Sequence, residues 1–180
     1  MALHETLARI LSLPVYRYQH EPFANQMVPK RVLFVGKATR NAATLEGLVE
    51  KYGVEITIVI PQETSAALHA ELRCAETMMA QHPTKIKLAV LATDLSGINS
   101  DDADAIFIDI MDDEQRLPFA REVWRVVKEG GWSAIRANLK SPIRTFKDLG
   151  MVDLRTINEE SVWYGRIRKD ESFYYPKAKK

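Results

Sequence analysis

The sequence predicts an α/β three-layer sandwich built on a mainly parallel sheet that ends in an antiparallel hairpin. From Arg31 onward, short continuous apolar runs alternate with helical stretches. Strands buried on both faces read as such runs, and strand and helix in alternation imply right-handed crossovers into a parallel sheet. The last two runs, VDLRTI (152–157) and VWYGRIRK (162–169), are separated only by Asn158, Glu159, Glu160, Ser161 and their neighbours. That is too short for a helical crossover, so these two strands pair antiparallel at the sheet edge.

Each element has its own signal. Residues 2–12 (ALHETLARILS) place Leu3, Leu7, Ile10 and Leu11 on one helical face, and Pro14 closes this N-terminal helix. The segment PVYRYQHEPFANQMVP has three prolines and no sustained period, and reads as a loop leading into the first strand. RVLFVG (31–36) is followed by a helix over 41–51, VEITIVI (54–60) by a helix over 63–81, and KIKLAVLA (85–92) by a loop. DAIFIDI (104–110) leads to a helix beginning near Pro118, with the proline at its first position, Lys128 in its last turn and Gly130-Gly131 as its left-handed stop. WSAIRANL (132–139) is the next strand, Ser141-Pro142 opens a short helix over 142–149, and Gly150 ends it. The tail FYYPKAKK reads as a solvated terminus. One domain results: an N-terminal helix and lead-in over 1–29, a core over 30–170 and a basic tail over 171–180.

Composition narrows the function classes without choosing one. A chain of 180 residues buries about two thirds of its unfolded surface in a single core and needs no covalent staples. A net charge of +1, with 46% hydrophobic and 27% charged residues, gives no general attraction to nucleic acid or to an anionic membrane. Cys74 is the only cysteine and lies in a helical pattern, so no intrachain disulfide forms, and it reads as a small core residue. His4, His20, His69 and His82 lack metal-ligand spacing. No apolar run is long enough to span a bilayer and the N-terminus does not have the layout of a signal peptide, from which a cytoplasmic protein is expected.

The order of elements and several strings resemble the class I S-adenosylmethionine-dependent methyltransferase family, over about residues 30–170. VLFVGKATRNAATLE resembles its first motif, DAIFIDI its fourth-strand motif, and FAREVWRVVKEGGWSAI the helix, glycine turn and fifth strand that follow. The resemblance implies a Rossmann-like methyltransferase-type sheet with S-adenosylmethionine lying across the carboxyl ends of its first strands, where open α/β sheets bind ligands. It places the acidic position of the first motif at Phe34 and its three glycines at Gly36, Ala38 and Arg40, so one of the four family residue types is present. The family's ribose-binding carboxylate falls at Ile60, followed by Pro61, with Glu63 the nearest acid. The segment facing the adenine ring falls at Asp94 and Leu95, although Asp94 also reads as the cap of a turn. The cofactor motif is therefore degenerate.

Other residues hold alternatives open. Lys37 and Arg40 flank a loop that opens a helix, where free amides and the helix dipole favour anions; they read either as an anion site or as two solvated cations. Asp109, Asp112, Asp113 and Glu114 follow the fourth strand. The resemblance makes Asp109 a candidate base or substrate contact, with its neighbours offering oxygens to a magnesium ion, against a solvated acidic loop. Tyr16, Tyr18 and His20 suit either an aromatic lid or packing of the N-terminal helix, and Trp124, Trp132 and Trp163 read as core or interface anchors. Trp163 and Tyr164 on the edge hairpin mark a place where a second copy or a partner protein would dock. Two functions follow: a divergent methyltransferase-like protein that binds or interacts without the usual catalysis, or an active methyltransferase with an unusual cofactor loop and Asp109 near its substrate.

Overall fold

The computed structural model describes Leu7 and residues 29–62, 65–137, 146–157 and 161–169. Its elements run β1 (Arg31–Gly36), α1 (Ala38–Tyr52), β2 (Glu55–Pro61), α2 (Ser65–Gln81), β3 (Ile86–Ala92), β4 (Ala103–Asp109), α3 (Asp113–Val126), β5 (Val127–Arg136), β6 (Met151–Ile157) and β7 (Val162–Ile167). The strands form one seven-stranded sheet in the order β3-β2-β1-β4-β5-β7-β6. The first five are parallel, while β7 runs antiparallel to both β5 and β6. Alternating apolar strands and an edge hairpin thus give the expected mixed sheet.

Strand alternation divides the core in two. Phe34, Ile58, Ile60 and Phe107 face one side, with Leu45 and Leu48 of α1 and Met78 of α2. Val35, Val59, Ile106 and Ile108 face the other, with Phe119 and Val123 of α3. Every residue of β4 is buried, as a central parallel strand with both faces covered requires. The order reverses between β1 and β4, and the register sets Gly36 beside Asp109 at that reversal. The carboxyl ends of these two strands are therefore the position at which this architecture places a ligand.

Several boundaries differ from the sequence reading. Helix α1 begins at Ala38 rather than 41 and ends at Gly53, whose φ of 65° lets its amide reach the Val49 carbonyl. Pro118 lies inside α3, not at its first position. Asp112 is the true cap, its carboxylate accepting the Gln115 amide at 2.8 Å, and Asp113 and Glu114 occupy the favourable first turn. Asp112 thus starts the helix ahead of the proline signal. Lys128 and Gly130-Gly131 belong to β5 rather than to a helix end: α3 stops at Val126, and β5 carries an irregularity between its pairings at Val127 and Trp132. Gly130, at φ 72°, turns the backbone within that irregularity. Gly131 is required by proximity, because a Cβ there would lie 2.7 Å from the Asp104 carbonyl oxygen.

Residues 146–148 form a helical turn, closed by Gly150 at φ 84°. Leu7 is buried with the α1 side of the core. The rest of the N-terminal helix, Tyr16, Tyr18, His20, Glu63, the start of the 142–149 helix and the basic tail lie outside the described residues. Among the described residues, no helix is long and apolar enough to cross a membrane.

Candidate functional site

The retained glycine sits where two backbones nearly touch. A Cβ on Gly36 would stand 2.7 Å from the Asp109 carbonyl oxygen, and its φ of 152° is one that other residues resist. Packing of β1 on β4 therefore accounts for Gly36 without a ligand. Phe34, at the acidic position of the motif, is wholly buried and its ring lies 5.7 Å from that of Phe107. Ala38 is buried as the first residue of α1, whereas Lys37 and Arg40 are exposed.

At the motif's other positions Ile60 and Leu95 turn inward, while Asp94 stays at the surface. Ile60 is 1% exposed and packs on the α1 and α2 side, and Pro61 beside it is buried. Leu95 is likewise 1% exposed, in the α3 side of the core. Its carbonyl accepts Arg125 Nη2 at 2.7 Å and the Ile98 amide at 2.9 Å, fixing the β3–β4 loop to the last turn of α3. Asp94 caps a turn by accepting the Ser96 amide at 2.9 Å. The Ser96 hydroxyl, then its amide, hold this carboxyl below the usual carboxylate range.

Asp109 ends β4 with its side chain 1% exposed. Oδ2 accepts Asn41 Nδ2 at 2.6 Å, and Oδ1 lies 3.0 Å from Arg136 Nη1. The second contact is an ion pair without hydrogen-bond alignment, since Oδ1 has no hydrogen-bond partner. Asn41 also donates to the Lys37 carbonyl at 2.9 Å, and the Arg136 guanidinium stands 5.9 Å from the Phe107 ring centroid. One buried polar chain thus ties the loop before α1 to β4 and β5. Asp109 is held as the centre of that chain, with both oxygens turned to protein.

The remaining acids of the cluster have separate tasks. Asp112 caps α3, and Asp113 pairs with the buried Arg116, which also donates to the Ile110 and Met111 carbonyls at 3.0 Å each. Among the described residues, no group of three or more His, Cys, Asp or Glu side chains is placed to hold a metal ion. On the other side of the loop, Glu71 of α2 is 5% exposed and accepts the Thr39 amide at 3.0 Å and the Thr39 hydroxyl at 2.5 Å. The edge aromatics are half-buried: Trp163 packs near Phe146 at 6.2 Å and Tyr164 near Trp132 at 6.1 Å. Trp124 is 40% exposed on α3, its Nε1 donating to the Arg168 carbonyl.

Sequence reasoning passed over Asn41, Glu71, Arg116 and Arg136. A signal for three of them lay in the periodicity. Asn41 falls on the stripe of Ala38, Leu45 and Leu48, and Glu71 on that of Leu68, Ala75 and Met78. Arg136 continues the inward alternation of Trp132 and Ala134. A polar side chain at a core position needs a buried partner.

No family model and no curated protein matches the chain. Among solved structures it is similar to an O-methyltransferase family protein from Burkholderia thailandensis, with 13% identity and a TM-score of 0.60 over 94% of this chain and 57% of that one. It is similar to a tRNA methyltransferase from Aquifex aeolicus, with 15% identity and a TM-score of 0.57 over 92% of this chain and 68% of that one. A third likeness is to phosphoethanolamine N-methyltransferase 2 of Haemonchus contortus in complex with S-adenosyl-L-methionine, with 15% identity and a TM-score of 0.54 over 74% of this chain and 35% of that one. The chain thus spans little more than half of the Burkholderia protein and about a third of the Haemonchus enzyme. The mixed sheet, its order reversal and its edge hairpin define a Rossmann-like α/β protein. More particularly, the chain has the class I S-adenosylmethionine-dependent methyltransferase fold.

At the positions where the resemblance places the cofactor, Asp94 keeps an accessible carboxylate, whereas the others offer less. Ile60 and Pro61 carry no side-chain acceptor for ribose hydroxyls, Leu95 is enclosed in the core, and the amide of Thr39 is already bonded to Glu71.

Proposed function

We propose that the protein is a divergent member of the methyltransferase fold that serves as a binding or interaction module and does not carry out the usual S-adenosylmethionine-dependent transfer. The observation that carries this reading is the inward placement of Ile60 and Leu95, each 1% exposed, at the positions that would meet ribose and adenine. Leaving a hydrogen-bonding group unpartnered on burial costs about 1–3 kcal/mol, so two unpartnered ribose hydroxyls cost roughly 2–6 kcal/mol, or about 30-fold to 10⁴-fold in affinity. That moves a micromolar site to one of about 30 μM at best and about 10 mM at worst.

Isothermal titration of the full chain with S-adenosylmethionine and with S-adenosylhomocysteine tests it. A dissociation constant of about 30 μM or weaker for both, or no saturation, is the expected result. A dissociation constant of about 1 μM for either compound overturns the proposal and returns the chain to the enzyme reading, in which Lys37, Ala38 and Arg40 would form an atypical cofactor loop.

A further inference from the structure

We infer that Glu71 is an internal ligand, a carboxylate from α2 that fills the N-terminal end of α1 and closes from within the helix end that this fold otherwise turns toward a ligand. The inference goes beyond the proposed function, because it states what occupies that end rather than what fails to bind there.

Helix α1 lacks local means of satisfying its first turn. Its N-cap is Lys37, which makes no side-chain cap bond, and its first turn contains no acidic residue. The leading amides of a helix have no intrahelical acceptor and carry the positive end of the dipole, so they require an anion, a cap or water. Glu71 supplies the anion from 32 positions further along the chain, one oxygen accepting the Thr39 amide and the other its hydroxyl. The match is reciprocal, because a carboxylate only 5% exposed needs hydrogen-bond donors.

The opposite side of the same loop is fastened by Asn41, which bonds the Lys37 carbonyl and Asp109. The loop is thus tied on both sides by protein groups. Lys37 and Arg40 remain at the surface beside a helix end whose Thr39 amide is already committed, which takes one of the amides an anion would use.

Amide hydrogen exchange at Thr39 and thermal melts, on the full chain with inorganic phosphate as the probe anion, test the inference. Wild-type protein should melt at the same temperature with and without phosphate. Glu71→Ala should speed Thr39 exchange roughly 5- to 30-fold, the factor expected for a lost helix cap, and Glu71→Gln, which keeps the shape and one acceptor, should fall between. If Glu71→Ala does not fold, Thr39→Val provides the second reading: with the hydroxyl donor removed and the amide retained, it should melt below wild type. Unchanged Thr39 exchange in the Glu71 variants, an unchanged melt in Thr39→Val, or an Arg40-dependent stabilisation of wild type by phosphate overturns the inference. None of these readouts depends on S-adenosylmethionine, so the inference and the proposed function fail separately.

Discussion

Removing the Asp109 carboxylate tests whether it is a structural centre or a solvent-facing base. Arg136 Nη1 lies 3.0 Å from Oδ1, with the two side chains 7% and 1% exposed. At that separation and an effective dielectric of about 20, the attraction is roughly 5–6 kcal/mol, much of which only offsets the desolvation of both ions. Asp109→Ala loses the attraction and keeps the desolvation of Arg136, and it also strips an acceptor from Asn41. The expected cost is about 3–5 kcal/mol, a fall of roughly 6–20 °C in melting temperature for a chain of this size. Urea unfolding followed by far-ultraviolet circular dichroism measures it. The informative companion is the double variant Asp109→Leu with Arg136→Met, which removes both charges and should be more stable than Asp109→Ala, its remaining cost of about 1–3 kcal/mol being the acceptor lost to Asn41. A single-variant cost below about 1 kcal/mol refutes the buried centre and reopens Asp109 as a group available to substrate.

Three further outcomes are expected. Burial alone would raise the Asp104 carboxyl, but Lys128 and the amides of Arg31 and Lys30 outweigh it and hold the group below the usual range. A lowered folded value means stability present above the ordinary carboxylate pKa of about 3.9 and lost as pH falls through the lower folded value, so the gap between wild type and Asp104→Asn should be flat from about pH 5 to 8 and shrink below about pH 4. Burial first, then the charges of Glu71 and Glu46, push the Cys74 thiol up; iodoacetamide should therefore label it more slowly than a free peptide thiol at pH 7.5, and unfolding in urea should abolish the difference. Pro118 interrupts α3, leaving the Glu114 carbonyl without a helical donor from that residue. Pro118→Ala should raise stability by about 1–3 kcal/mol after allowance for the stiffer unfolded chain, and calorimetry showing a lower melting temperature contradicts that.

The fold was legible in the sequence because its signals are local and repeated. RVLFVG, EITIVIP and ADAIFID each show their burial in their own composition, and the short gap before Val162 fixes the antiparallel hairpin. The boundaries of α3 were misread because two start signals competed. Pro118 suits a first helical turn, yet Asp112 offers a real cap and Pro118 is tolerated inside at a cost. The site was less legible because its bonds join residues distant in the chain, Asn41 with Asp109 across 68 positions and Thr39 with Glu71 across 32. A spacing rule carries no information about such pairs. The interrupted apolar stripes carry a signal, passed over in the sequence reading, that Asn41 and Glu71 must be satisfied, and only the packing of α1 against β4 and α2 identifies by what.

Gly36 changes meaning in this light. A glycine retained from a cofactor motif suggests a retained cofactor, but that inference holds only where the ligand is what excludes a side chain. Here the Asp109 backbone excludes it, at 2.7 Å from where a Cβ would stand. The close approach of β1 to β4 at the reversal of strand order belongs to the sheet itself, so Gly36 is demanded whether or not anything binds above it. Positions 38 and 40 differ in setting: Ala38 faces the core and Arg40 faces solvent. A core alanine and a surface arginine are ordinary residues for the first turn of a helix. Gly36 is thus explained by the sheet alone, and its presence is no evidence for a bound cofactor.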